Sequence, residues 1–147
     1  MSNAWLPLLA LMSSFVTSVA IFFTPEHCSR IRGAINLLGA TFKLCLAVWL
    51  VLGVASGEVY TWRMDILAGV ELVLRVDALC LLFLSLSAFL WLLTTIYAMG
   101  YLHGTSDQSR FFGFFSLCVA ATTGVALAGT LLTFFIFYEL LTLATWP

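Results

Sequence analysis

The chain has 147 residues, 63% hydrophobic and only 9% charged, with a formal net charge of −1 and a mean hydropathy of +1.10. A soluble domain is about half apolar and about a quarter charged, so too little polar surface is left to face water on all sides, and lipid must cover much of the chain. Six dispersed cations among seven acids exclude a basic nucleic-acid surface. Four widely separated cysteines without a C-x-x-C pair argue against a metal knuckle or a disulfide framework.

The first apolar stretch, residues 5–23, is 19 residues long and follows an uncharged Met1-Ser2-Asn3-Ala4. No small-x-small cleavage pattern follows it, so it reads as a retained membrane helix rather than a secretory leader. A linker over 24–33 carries Pro25, Glu26, His27, Arg30 and Arg32. The second span, 34–56, is apolar except for Lys43 near its middle. Segment 58–77 changes character. Thr61, Arg63 and Asp65 alternate with Tyr60, Trp62, Met64 and Ile66; beyond Gly69, Glu71, Arg75 and Asp77 alternate with Leu72, Leu74 and Val76. Period-2 patterning around a glycine predicts a β-hairpin lying outside the membrane. The third span is 78–102, followed by a polar linker over 103–110.

From Phe111 to Pro147 the sequence holds one formal charge, Glu139. As one helix this stretch would measure roughly 55 Å, against a hydrocarbon core of about 30 Å. It must therefore fold back, with Gly129-Thr130 as the predicted turn between helices at 111–128 and 131–147. The absence of a polar flank after Trp146-Pro147 reads as a chain cut inside a span. The expected fold is an all-α integral membrane protein, a single membrane domain of about five transmembrane helices with a small extramembrane β-hairpin. Three arginines in the two linkers against two in the hairpin favour an outside amino terminus and an outside hairpin.

Glu139 is the first candidate site. A charge at the bilayer centre costs roughly 2.5–3.5 kcal/mol on insertion scales, so such residues face a bundle interior, a partner or a water-filled path. Tyr138, Thr142 and Thr145 form a polar stripe beside it. Lys43 is the only cation inside a span; it is expected either to pair with or relay to Glu139 or an outside group, or to snorkel to an interface. Ser116, Ala120, Gly124 and Ala128 recur every four residues, a small-residue row suited to close helix packing. Ser13, Ser14, Thr17 and Ser18 in the first helix suit interhelical hydrogen bonds. No catalytic constellation, phosphate loop or clustered ligands are present, so no catalytic residue, cofactor or metal is expected.

Arg110-Phe-Phe-Gly-Phe-Phe-Ser-Leu and Phe134-Phe-Ile-Phe-Tyr-Glu139-Leu-Leu-Thr-Leu-Ala-Thr-Trp-Pro147 resemble the antiporter-like subunits of multisubunit cation/proton antiporters of the Mrp type, in particular the D-like ones. Their superfamily includes the proton-pumping membrane subunits of complex I and of membrane-bound hydrogenases. Leu74-Arg-Val-Asp-Ala-Leu79 and Asn36-Leu-Leu-Gly-Ala-Thr-Phe-Lys43 fit the same pattern. The resemblance implies a fold of about fourteen helices, of which this chain holds the first five. It also implies a role for Glu139 as a proton-handling carboxylate whose lysine partner lies on the seventh helix, beyond this chain. The family usually places Asn or Asp before the fifth helix, where this chain reads Gly129-Thr130-Leu131. The implied partners are the lipid bilayer, other subunits of a membrane complex, and protons, with Na+ or K+ left open as the exchanged cation. The implied location is multi-pass in a bacterial inner membrane. Two rival readings are a membrane enzyme, which no catalytic constellation supports, and a small non-catalytic structural or assembly subunit.

Overall fold

The computed structural model describes residues 2–146. After a 3-10 turn over Ser2–Trp5 come α1 (Leu6–Phe23), α2 (Ser29–Ala55), the hairpin strands β1 (Thr61–Leu67) and β2 (Val70–Arg75), α3 (Ala78–Tyr101), α4 (Gln108–Leu127) and α5 (Leu131–Thr145). Helices α1 to α4 are long and apolar enough to cross a membrane; α5 is an apolar helix of 15 residues, about 22 Å long at the α-helical rise.

Several boundaries differ from those read in the sequence. Helix α2 starts at Ser29 rather than 34, so Arg30 and Arg32 belong to the helix and not to a linker. The Arg32 side chain turns back to donate to the Pro25 carbonyl at 3.0 Å, which ties down the added turn. Helix α4 likewise starts at Gln108 rather than 111. Helix α5 ends at Thr145, ahead of Trp146; a residue preceding proline is a usual helix stop, and Pro147, where the sequence placed the end, lies outside the described residues.

Helix α1 lies between α2 and α4, and α3 closes the far side of the ring, leaving α2 and α4 facing each other across its centre. Helix α5 packs on the outside of α4. Small residues set the crossings, as close approach within a membrane requires. A Cβ at Gly39 would lie 2.3 Å from Thr17 Oγ1, and one at Gly124 would lie 2.2 Å from the Phe137 ring. Ser18 on α1 donates to the Gly113 carbonyl of α4 at 2.8 Å.

The hairpin pairs Thr61 with Arg75, Arg63 with Val73 and Asp65 with Glu71, turning at Gly69 with φ +88°. Tyr60, Leu74 and Val76 are buried on its inner side. The Tyr60 phenol lies against Gly53 at the end of α2 and donates to Glu58. Strict alternation predicts an outward Val73, yet it too is buried, because the α4–α5 connection docks on β2. Gly129 N–H donates to the Val73 carbonyl at 2.8 Å, Val73 N–H donates to Thr133 Oγ1 at 3.0 Å, and Ala128 bridges to Leu74. Ala128, expected at the end of a helical packing row, thus sits just past α4 in a strand-like contact. The Thr130 side chain accepts from Thr133 N–H at 3.3 Å, so α5 has a threonine cap where the family pattern has Asn or Asp.

Two measurements probe this frame. Gly124→Val should lower stability by about 1–3 kcal/mol, since the added methyls collide with Phe137; a thermal unfolding midpoint in detergent equal to wild type would refute the crossing. The bond to Glu58, then burial, then the Glu58 charge raise the Tyr60 pKa above its ordinary value. The neutral phenol therefore favours the folded state, and that stabilisation is lost only as pH rises through the raised value. Ultraviolet titration should show one tyrosine ionising above the free phenol, and Tyr60→Phe should remove that component.

Candidate functional site

The inner face of α2 is polar where a membrane helix is usually apolar. Arg32, Asn36 and Lys43 are all buried on it, at 1%, 0% and 0% exposure, interleaved with Ala40, Leu46, Ala47 and Leu50. These positions recur at helical spacing, so a single stripe faces the bundle centre.

Asn36 joins three helices. Its Oδ1 accepts from Ser116 Oγ on α4 at 2.8 Å and from Trp91 Nε1 on α3 at 3.2 Å. Its Nδ2 donates to Thr95 Oγ1 at 2.9 Å, and Thr95 in turn donates to the Trp91 carbonyl at 2.7 Å. Two turns along, Lys43 Nζ donates to Thr123 Oγ1 and lies 5.6 Å from the centre of the Trp91 ring, within cation–π range. Thr123 in turn donates a hydrogen bond to the Val119 carbonyl at 2.7 Å. Asn36 with Ser116 and Lys43 with Thr123 are both 80 residues apart, as parallel helices in constant register must be. The lysine therefore does not snorkel; it is enclosed in the bundle.

Glu139 lies elsewhere. Helix α5 buries Thr133, Phe137 and Ala144 against the bundle, and Glu139 is exposed on a different face together with Phe135, Thr142 and Trp146. At 100° per residue it projects well over 90° away from the buried stripe. Among the described residues the ion pair within 4.0 Å is Arg63–Glu71 in the hairpin, so the structure does not bring Glu139 and Lys43 together. The neighbouring Thr142 and Thr145 hydroxyls are satisfied within α5, on the carbonyls of Tyr138, Leu141 and Thr142. Of the small-residue row, Ser116 bonds Asn36, Ala120 is buried, and Gly124 receives Phe137. His27 and His103 are exposed in the loops. Among the described residues no group of three or more His, Cys, Asp or Glu is placed to hold a metal, and all four cysteines are free.

The hub residues Asn36, Trp91, Thr95 and Thr123 were not singled out as site residues from the sequence. Asn36 and Lys43 do stand seven apart in an otherwise apolar span, but each threonine and tryptophan alone is ordinary membrane-helix composition.

Residues 66–112 match the family model described as NADH-Ubiquinone oxidoreductase (complex I), chain 5 N-terminus. A protein of Rhizobium meliloti (strain 1021), named as a probable K(+)/H(+) antiporter component, is 34% identical over 127 residues, which is 83% of this chain and 12% of that protein. The chloroplastic NAD(P)H-quinone oxidoreductase subunit 5 of Chara vulgaris is 26% identical over 147 residues, 94% of this chain and 22% of that one. The chain is related to the antiporter-like membrane subunits. This antiporter-like chain spans about an eighth to about a fifth of the length of those relatives. Its fold matches a chain of the membrane-bound sulfane sulfur reductase (MBS), an archaeal respiratory membrane complex, with TM-score 0.77 and 23% identity over 92% of this chain and 21% of that chain.

Asn36→Leu should destabilise the antiporter-like chain by about 1–3 kcal/mol, because it strands the buried Trp91 and Ser116 donors and takes a donor from Thr95 Oγ1. Ser116→Ala removes one interhelical bond and should cost about 0.6 kcal/mol. Equal midpoints for the two variants in thermal unfolding would contradict a hub at Asn36.

Proposed function

We propose that this chain forms part of a proton-translocating antiporter-like membrane subunit, with Glu139 as a proton-handling carboxylate. The observation that carries this reading is the placement of Glu139 on the outer face of an apolar helix, with no cation within ion-pair distance among the described residues. A carboxylate left against lipid is costly, so the face that carries it must meet a polar partner or a hydrated path. The matched proteins include one named as part of a K(+)/H(+) antiporter. The same exchange, or redox-driven proton pumping in a larger complex, is the activity we assign to the parent assembly, with ion transport rather than redox chemistry falling to this chain. Other subunits, protons and K+ or Na+ are its proposed partners, and a bacterial inner membrane its proposed site.

Lys43 is proposed as a second proton-handling group, reached through the interior of the α2–α3–α4 cluster rather than across from Glu139. Its enclosure by Trp91 and Thr123 supports a role independent of α5.

Glu139→Gln in the assembled complex should lower proton-coupled transport by about a hundredfold or more, the scale set by loss of a positioned proton-transfer group. Wild-type transport by a normally assembled variant would remove Glu139 from the mechanism. Lys43→Met should also slow transport; an unchanged rate with unchanged assembly would leave Lys43 a packing residue.

A further inference from the structure

At the end of the bundle where α2 and α4 begin, a small polar cavity of about 190 Å³ is lined by Glu26, Ser29, Arg32, Thr105, Asp107 and Gln108. Arg32 is its unusual member. The side chain is 1% exposed, yet it has no carboxylate within 4.0 Å among the described residues. Nη2 donates to the Pro25 carbonyl at 3.0 Å and Nη1 reaches Gln108 Oε1 only at 3.5 Å. Nε is buried without a hydrogen-bond partner. A guanidinium cannot shed its proton, so this is a permanent buried charge with unfilled donor capacity, a costly state unless an anion completes it.

The surroundings favour an anion. The first residues of two long helices line the cavity, and neither helix has an acidic residue in its first turn or a side-chain cap. Asp107 is a good capping residue by type, but its left-handed backbone, φ 69°, leaves it without that hydrogen bond. The orphan N–H groups and the positive ends of both helix dipoles thus remain at the cavity, with the Ser29 hydroxyl beside them; the Thr105 hydroxyl is already donated to the Leu102 carbonyl at 2.9 Å. Glu26 and Asp107 are both exposed, and although they line the cavity neither carboxylate lies within 4.0 Å of the Arg32 guanidinium. Of the arginines at this end Arg32 lines the cavity, together with the two acids, while Arg30 and Arg110 lie outside its lining, so the pull on an anion comes from the buried guanidinium and the helix N-termini rather than from the net charge of the lining.

The position along the bundle identifies the source of the anion. Phe23, Tyr97 and Tyr101 are 84%, 69% and 72% exposed near this end, and the two tyrosine rings stack with centroids 5.7 Å apart. Exposed aromatics at helix ends mark the headgroup level of a bilayer, and planar guanidinium groups match phosphate oxygens in a bidentate fork.

We propose that this cavity binds the phosphate of an anionic phospholipid headgroup, with Arg32 as its principal ligand and the first turns of α2 and α4 supplying backbone donors. The test is native mass spectrometry of the full 147-residue chain released from mixed micelles containing dioleoylphosphatidylglycerol. Wild type and Arg63→Gln, a charge change on the hairpin, should retain the lipid equally, whereas Arg32→Gln should retain about tenfold less, as expected for losing a charged hydrogen bond. Arg32→Lys keeps the charge but not the fork, so it should fold even where Arg32→Gln does not and should retain an intermediate amount. Retention by both Arg32 variants at the wild-type level would overturn the site. Full displacement of the lipid by millimolar inorganic phosphate would overturn the lipid as its occupant in favour of free phosphate.

Discussion

Four apolar helices must enclose polar side chains without water nearby, and that requirement organises the rest of this structure. Asn36 is the residue that meets it. One amide accepts from two helices and donates to one of them, so every polar atom it brings into the membrane has a partner. In a bundle surrounded by lipid, apolar burial contributes little to choosing which helices associate, and close packing and hydrogen bonds decide. The Asn36 hub fixes the rotation of α2, α3 and α4 about their axes. Once those rotations are set, Lys43 can only point into the same interior, towards Trp91 and Thr123.

The hairpin performs the corresponding task at the bundle's end. Two strands alone are marginal in water, and this pair gains support from both sides, with Tyr60 wedged on α2 and β2 bonded to the α4–α5 connection. That second contact also orients α5. The Val73 bonds to Gly129 and Thr133 hold the turn, the Thr130 cap starts the helix, and Phe137 on Gly124 sets its rotation. The outward direction of Glu139 follows from these four contacts rather than from any interaction of the carboxylate itself.

Two buried cations on one helix face therefore lead different lives. Lys43 is shielded by an aromatic face and a threonine. Arg32, near the bundle's end, retains an open donor beside a polar cavity. The charges within or beside the spans are thereby distributed over three places: an interior lysine, an arginine near the bundle's end and an exterior carboxylate. Each sits at a different surface of the bundle, interior, interfacial or lateral.

Much of this was legible in the residues. Long apolar runs and the excess length after Phe111 reveal the spans and the turn at Gly129-Thr130, because bilayer thickness sets helix length. Period-2 alternation reveals the hairpin, because successive strand side chains point to opposite faces. The composition and the Tyr138-Glu139-Leu-Leu context identify the class of protein and its costliest side chain. What the sequence could not determine is partnership. Whether Lys43 meets Glu139 depends on which faces of α2 and α5 turn inward, and the answer is set by the Asn36 hub and the Val73 docking contacts, between residues about 55 to 80 apart in the chain. Local periodicity carries no information about such pairings. It names the residues that cannot face lipid unaided, and only the tertiary structure decides which of them the chain itself satisfies.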